Sequence, residues 1–103
     1  MEEDSYRQSR LCRLLSNPVV FAVVELLAEN KELNPSEIAR AVGRSVPRVS
    51  NVLSALRLAD VVRYDSDGKR NYYRLKHPGE IRQVLAALSR FVKAASTASV
   101  TER

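Results

Sequence analysis

Residues 34–75 read NPSEIARAVGRSVPRVSNVLSALRLADVVRYDSDGKRNYYRL, and this stretch decides the fold. It opens on a helix-start signal. Asn34 can cap the amide of Glu37 while the Glu37 carboxylate reaches back, with Pro35 at the first helical position. The helix so begun covers Pro35 to Val42 and stops at Gly43, a natural terminator. Two residues on, Ser45 can cap a second helix running to about Ala59. Its apolar positions Val49, Val52, Leu53 and Leu56 follow the i, i+3, i+4, i+7 pattern of a buried stripe. The period then drops to two. Val61 to Asp65 and Arg70 to Leu75 are rich in valine and tyrosine and flank Ser66-Asp67-Gly68-Lys69; Asp-Gly between such runs signals a β-hairpin.

Outward from this stretch, the flanks are helical. Ser5 to Leu15 places Leu11, Leu14 and Leu15 on one face. Asn17-Pro18 breaks the chain and restarts it, since proline suits the first position of a helix. Val19 to Ala28 is apolar almost all round and belongs at the centre of a core. After the hairpin, His77-Pro78 opens a last helix with Ile81, Val84, Leu85, Leu88, Phe91 and Val92 along one face. The small-residue tail Ala94 to Thr101 is expected to fray. The reading is a single domain over residues 1–103, mainly α with a β-hairpin, in the order α-α-α-α-β-β-α. Within it a helix-turn-helix covers 35–59, joined by Gly43-Arg44, and a wing covers 61–76. The terminal helices cover 5–16 and 78–97.

The 103 residues carry a formal net charge of +5, unevenly spread. Ile38 to Lys76 holds nine bases and three acids, residues 1–37 hold four bases and seven acids, and residues 77–103 hold four bases and two acids. A positive excess confined to one segment points to a localised face for a polyanion. With the stripe of the second motif helix turned inward, its outer face shows Pro47, Arg48, Ser50, Asn51, Ser54, Ala55 and Leu58. No acid lies on it. Arginine can pair bidentately with guanine and asparagine with adenine. Arg44 and Ser45 lead into that helix. Lys69, Arg70 and Asn71 sit at the hairpin tip, with Arg63 and Arg74 on its strands, where they suit phosphate contacts that position without reading sequence. The expected DNA-binding set is therefore Arg44, Ser45, Pro47, Arg48, Ser50, Asn51, Ser54, Arg63, Lys69, Arg70 and Asn71.

From about Leu14 to Leu75 the chain resembles the ArsR-type winged helix-turn-helix repressors. The resemblance is carried by the leucine-rich helix ending in ELLAE, by SEIARAVGRS, by VSNVLSALRLADVV and by the wing DGKRNYYRL. It implies a homodimer paired through its first and last helices on an inverted-repeat operator. The apolar stripes Leu11, Leu14 and Leu15, and Ile81, Val84, Leu85, Leu88, Phe91 and Val92, would then form the dimer interface. The departures from the family matter too. Where many members carry a metal-binding Cys-x-Cys, this chain has Leu33-Asn34-Pro35-Ser36-Glu37. Its last helix offers only Glu80, with His77 just before it, so no metal sensing and no cofactor are expected. Val19-Val20 replaces the family's arginine after the second-helix proline. Pro47 and Arg48 stand where small polar residues are common, which implies a different operator preference.

Other residues tempt a functional reading and carry little. Cys12, the single cysteine, excludes an internal disulfide and reads as a small hydrophobe rather than a thiol sensor. His77 reads as a helix-start residue, and one histidine without a Ser–carboxylate grouping gives catalysis little to work with, so no enzyme is expected. Of Tyr72 and Tyr73, adjacent on a strand, one is expected in the core and the other on the hairpin surface. The apolar runs are too short to span a bilayer and MEEDSYRQSR is unlike a secretory signal, which reads as a soluble cytoplasmic protein without a membrane partner. The expected partners are double-stranded DNA and a second copy, with any small-molecule effector unspecified. Two alternatives remain open: a winged-helix protein-interaction module, and an architectural DNA binder without sequence preference.

Overall fold

The structure, a computed structural model, describes residues 2–101. Its elements are α1 (Glu3–Leu15), α2 (Pro18–Glu29), α3 (Pro35–Val42), α4 (Val46–Leu58), β1 (Val62–Ser66), β2 (Asn71–Leu75) and α5 (Pro78–Thr101). The order is the expected one. Two ends differ. The first helix starts at Glu3, because Glu3 and Asp4 suit the positive end of a helix dipole. The last continues to Thr101, since its alanine-rich end contains no glycine or proline to stop it.

Local chemistry sets the remaining boundaries. The Asn17 side chain accepts from the amides of Val19 (2.9 Å) and Val20 (3.2 Å) and starts α2. At α3 the capping box closes in both directions, Glu37 N–H to Asn34 Oδ1 at 2.8 Å and Asn34 N–H to Glu37 Oε1 at 2.9 Å. Gly43 then turns the chain with φ of +68°, a left-handed conformation that costs a side-chain-bearing residue free energy. The end of α4 was less legible. Asp60 takes φ of +60°, its N–H bonds the Arg57 carbonyl, and Val61 N–H bonds the Leu56 carbonyl, a Schellman closure without glycine. Lys76 Nζ holds the Asp60 carboxylate at 3.1 Å.

The core is wholly apolar. Val23, Val24 and Leu27 of α2 are buried against Ile38, Val49, Leu53, Leu56 and Val62, with Val61, Leu75 and Ile81 closing the edges. Val20, one of the two valines replacing the family's arginine, belongs to this core. Leu15 and Ile81, expected at a dimer interface, are also buried within the single chain and offer a partner little surface.

The hairpin is antiparallel, with Val62 opposite Leu75, Tyr64 opposite Tyr73 and Ser66 opposite Asn71 on one face. Arg63 opposite Arg74 and Asp65 opposite Tyr72 make the other face. Tyr73 packs on the core edge and Tyr72 lies on the outer face, as the alternation requires, although both are only half-buried. Leu33 adds an unforeseen bridge: its N–H and carbonyl exchange bonds with Tyr73 at 3.1 and 2.8 Å, tying the return strand to the entry of α3.

Two glycines should respond oppositely to alanine. Gly43→Ala, forced into a left-handed backbone, should lose about 1 kcal/mol. Gly79→Ala has no positive φ and nothing within 4 Å, and should gain roughly 0.5 kcal/mol. Urea unfolding of the two variants measures both signs.

Candidate nucleic-acid interface

Burial of Val49, Val52, Leu53 and Leu56 leaves the opposite side of α4 to solvent. Pro47, Arg48, Ser50, Asn51, Ser54 and Leu58 are all exposed, Leu58 at 89%. At 3.6 residues per turn, Pro47, Asn51, Ser54 and Leu58 form the pole of this face. Val46, Ser50 and Arg57 lie on one flank of it, Arg48 and Ala55 on the other. The flank towards the hairpin is marked by Arg57, whose guanidinium stands 4.9 Å from the centre of the Tyr64 ring. Arg48 therefore projects on the side away from the wing.

Ser45 and Arg44 meet the expectation only in part. Ser45 is spent on the helix cap, its Oγ accepting from Arg48 N–H at 3.3 Å. Arg44 is exposed, its guanidinium donating to the Gly43 carbonyl at 3.1 Å. No ion pair among the described residues involves Arg44, Arg48, Lys69 or Arg70.

The wing tip is a four-residue turn held by one carboxylate. Asp67 Oδ1 accepts from the amides of Lys69 (3.1 Å) and Arg70 (2.9 Å), and Asp67 N–H bonds the Arg70 carbonyl at 3.2 Å. Those amides, Arg70's foremost, hold the Asp67 pKa below the ordinary aspartate value. The Arg70 guanidinium donates to the Tyr72 hydroxyl at 3.2 Å, which favours its charged form. Asn71 accepts from the Tyr64 hydroxyl at 2.7 Å, so its amide oxygen is already engaged.

Arg63 is elsewhere. Strand alternation turns it and Arg74 to the outer face of the hairpin, where both engage Asp65, at 3.6 and 3.2 Å. With Lys31, Lys76 and Arg82 they line a cleft of about 390 Å³ facing away from α4. Counting bases along the chain could not separate these from the tip cations. Sequence reasoning also passed over Arg57 and Val46, although both share the flank of Ser50 at helical spacing.

Elsewhere, Cys12 is exposed rather than packed as a small hydrophobe. Among the described residues no three His, Cys, Asp or Glu side chains come together as a metal site requires. No single helix among them is long and apolar enough to cross a membrane; α1 and α2 would qualify only as a pair bent by 96°.

The fold has counterparts among known proteins. A family model described as HVO_A0114 matches residues 16–78. The HTH-type transcriptional regulator KmtR of Mycobacterium tuberculosis (strain ATCC 25618 / H37Rv) is 36% identical over 73 residues, 71% of this chain. That match spans 55% of KmtR, so the chain accounts for about half of its curated relative. Rv0081 of M. tuberculosis superposes with a TM-score of 0.85 at 25% identity, covering 97% of this chain and 99% of that one. The winged helix-turn-helix domain of Mb0332 from Mycobacterium bovis, described as homodimeric and a possible ArsR-family regulator, superposes at 0.73 with 25% identity, covering 90% and 87%. The chain belongs to the HVO_A0114 family and to the ArsR-type winged helix regulators. In this ArsR-type chain α3 and α4 form the helix-turn-helix and β1–β2 the wing. Its relatives are transcriptional regulators rather than enzymes.

The Asp67 turn makes the wing tip of this ArsR-type chain acid-sensitive. A lowered folded-state pKa means the cap is fully present above the unfolded aspartate value and is lost as pH falls through the folded one. The Lys69 and Arg70 amide resonances should titrate with a midpoint below that of an ordinary aspartate, and Asp67→Ala should abolish the titration. A midpoint at or above the ordinary value would contradict the cap.

Proposed function

We propose that this chain is a sequence-specific, double-stranded-DNA-binding transcription regulator that acts as a homodimer on an inverted-repeat operator. The observation that carries the reading is the exposed, acid-free face of α4 beside a cationic hairpin tip. Polyanion binding by a helix needs such a face, because a carboxylate on it would repel phosphates as the helix enters the groove. In this reading α4 enters the major groove, Arg48, Ser50, Asn51 and Ser54 meet base edges, and Lys69 and Arg70 contact the backbone. Arg44 reaches a phosphate at the turn. Repression follows from occupancy of a promoter, which needs no activation surface.

Dimerisation has support of its own. Beyond Ile81 no residue of α5 described to Ser96 is buried, yet Val84, Leu88, Phe91 and Val92 lie there with 37%, 43%, 74% and 62% exposure. The radius of gyration is 15.6 Å, against about 13 Å for a compact domain of this length. A helix that protrudes with an apolar stripe is a chain awaiting a partner. A cleft of about 990 Å³ beside it brings Leu11 and Leu14 of α1 together with Leu58, Ile81 and Val84, within a rim of polar and charged side chains that includes Arg7, Arg10 and Glu80. The homodimeric Mb0332 domain shares this architecture. The terminal helices are accordingly the dimerisation part, 35–59 the reading part and 61–76 the positioning part.

Selection of duplexes from a random pool should return an inverted repeat. On that operator Arg48→Ala or Asn51→Ala should cost roughly 1–3 kcal/mol and relax sequence preference. Lys69→Ala or Arg70→Ala should instead weaken all duplexes alike and flatten the salt dependence by about one unit per lost contact. Wing variants that leave low-salt affinity unchanged would remove the hairpin from the interface. Leu88→Asp should shift sedimentation towards the monomer while circular dichroism stays helical; an unaltered dimer would refute this use of α5.

A further inference from the structure

The first turn of α4 carries two apolar side chains that neither the core nor the polar contacts above account for. Val46 is 42% exposed and Pro47 beside it is exposed as well. The core takes nothing from either, because the buried stripe of α4 begins at Val49. The ordinary use of a helix N-terminus, donating amides to a phosphate, is narrowed here to the N–H groups of Ser45 and Val46. Pro47 has no N–H, and the Arg48 N–H is taken by Ser45 Oγ at 3.3 Å. The helix tip thus presents methyl and methylene groups beside its two remaining amides. The next residues along the same exposed surface, Ser50 and Asn51, are polar. The apolar patch is therefore small and confined to the end of the helix that goes deepest into a groove.

We infer that Val46, flanked by Pro47, reads the 5-methyl group of a thymine in each operator half-site. The inference rests on the DNA-binding reading and gives it a base identity. In the major groove, thymine is distinguished by a methyl group on its outer edge, and apolar side chains recognise it by contact. Val46 can neither donate nor accept a hydrogen bond from its side chain. Set against guanine or adenine it would cover N7 and leave a desolvated acceptor unpaired, which costs free energy. Against thymine it removes apolar surface of both partners from water and strands nothing. One buried methyl group corresponds to about a four-fold change in affinity, and a symmetric dimer would register it once in each half-site.

Deoxyuridine differs from thymidine by this methyl group alone, which makes the test direct. With the operator recovered from the random pool, each symmetry-related thymine pair is replaced in turn by deoxyuridine, and binding is measured by anisotropy for the wild-type chain, V46A and P47A. The expected result is one pair at which the wild type loses about four-fold per half-site, with the thymine-to-uracil ratio falling towards one in V46A, whether or not P47A lowers it as well. Because the ratio is taken within each variant, any loss of folded protein cancels. If no thymine pair responds, or if the response persists in V46A, the methyl assignment is overturned while operator binding itself stands. If no duplex is bound even at low salt, the DNA-binding reading fails and the assignment falls with it.

Discussion

Everything in this molecule turns on the burial of one stripe. Val49, Val52, Leu53 and Leu56 disappear into the apolar centre formed by α2 and the root of the hairpin. A helix has no freedom to hide one side without displaying the other, so packing the stripe displays Pro47, Asn51 and Ser54 outward. Because the hairpin grows directly from the Schellman turn after α4, the same burial also sets where the wing begins. The Leu33–Tyr73 bridge closes the loop by fastening the wing's return strand to the entry of α3. The helix α4 and the ribbon are thus parts of one packed arrangement rather than two appendages.

Charge is sorted by the same geometry. Nine bases between residues 38 and 76 look like one cationic segment in the sequence. Strand alternation divides them. Arg63 and Arg74 are turned to the back of the hairpin and share Asp65, while Lys76 pairs with Asp60. Exposed pairs of this kind contribute little to stability, but they reduce the charge free to meet a polyanion. Arg40, Arg44, Arg48, Arg57, Lys69 and Arg70 remain without an ion-pair partner among the described residues, so the unpaired charge lies on α3, at the turn, on α4 and at the wing tip. Arg57, placed over the Tyr64 ring, links α4 to the ribbon.

The energetics of α5 differ from those of the rest of the chain. Ile81 and Leu85 anchor its start to the core, and the exposed apolar side chains beyond them gain nothing from the single chain. A domain of this length has little buried surface to spare, and a partner that covers the protruding stripe would add hydrophobic stabilisation the monomer lacks.

Element order, the break at Asn17-Pro18, the Asn34 and Ser45 caps, the Gly43 turn and the buried stripe were legible in the sequence, because each depends on residues within one helical turn of each other. The polar outer face of α4 followed from the stripe by subtraction. Four features were not legible: the outward turn of Arg63, the exposure of Cys12, the burial of Leu15 and Ile81, and the approach of Arg57 to Tyr64. Each is settled by which surface a neighbouring element covers, and spacing within one element does not give that. Local spacing determines what a segment can present, and packing between distant segments decides which of those groups meets solvent.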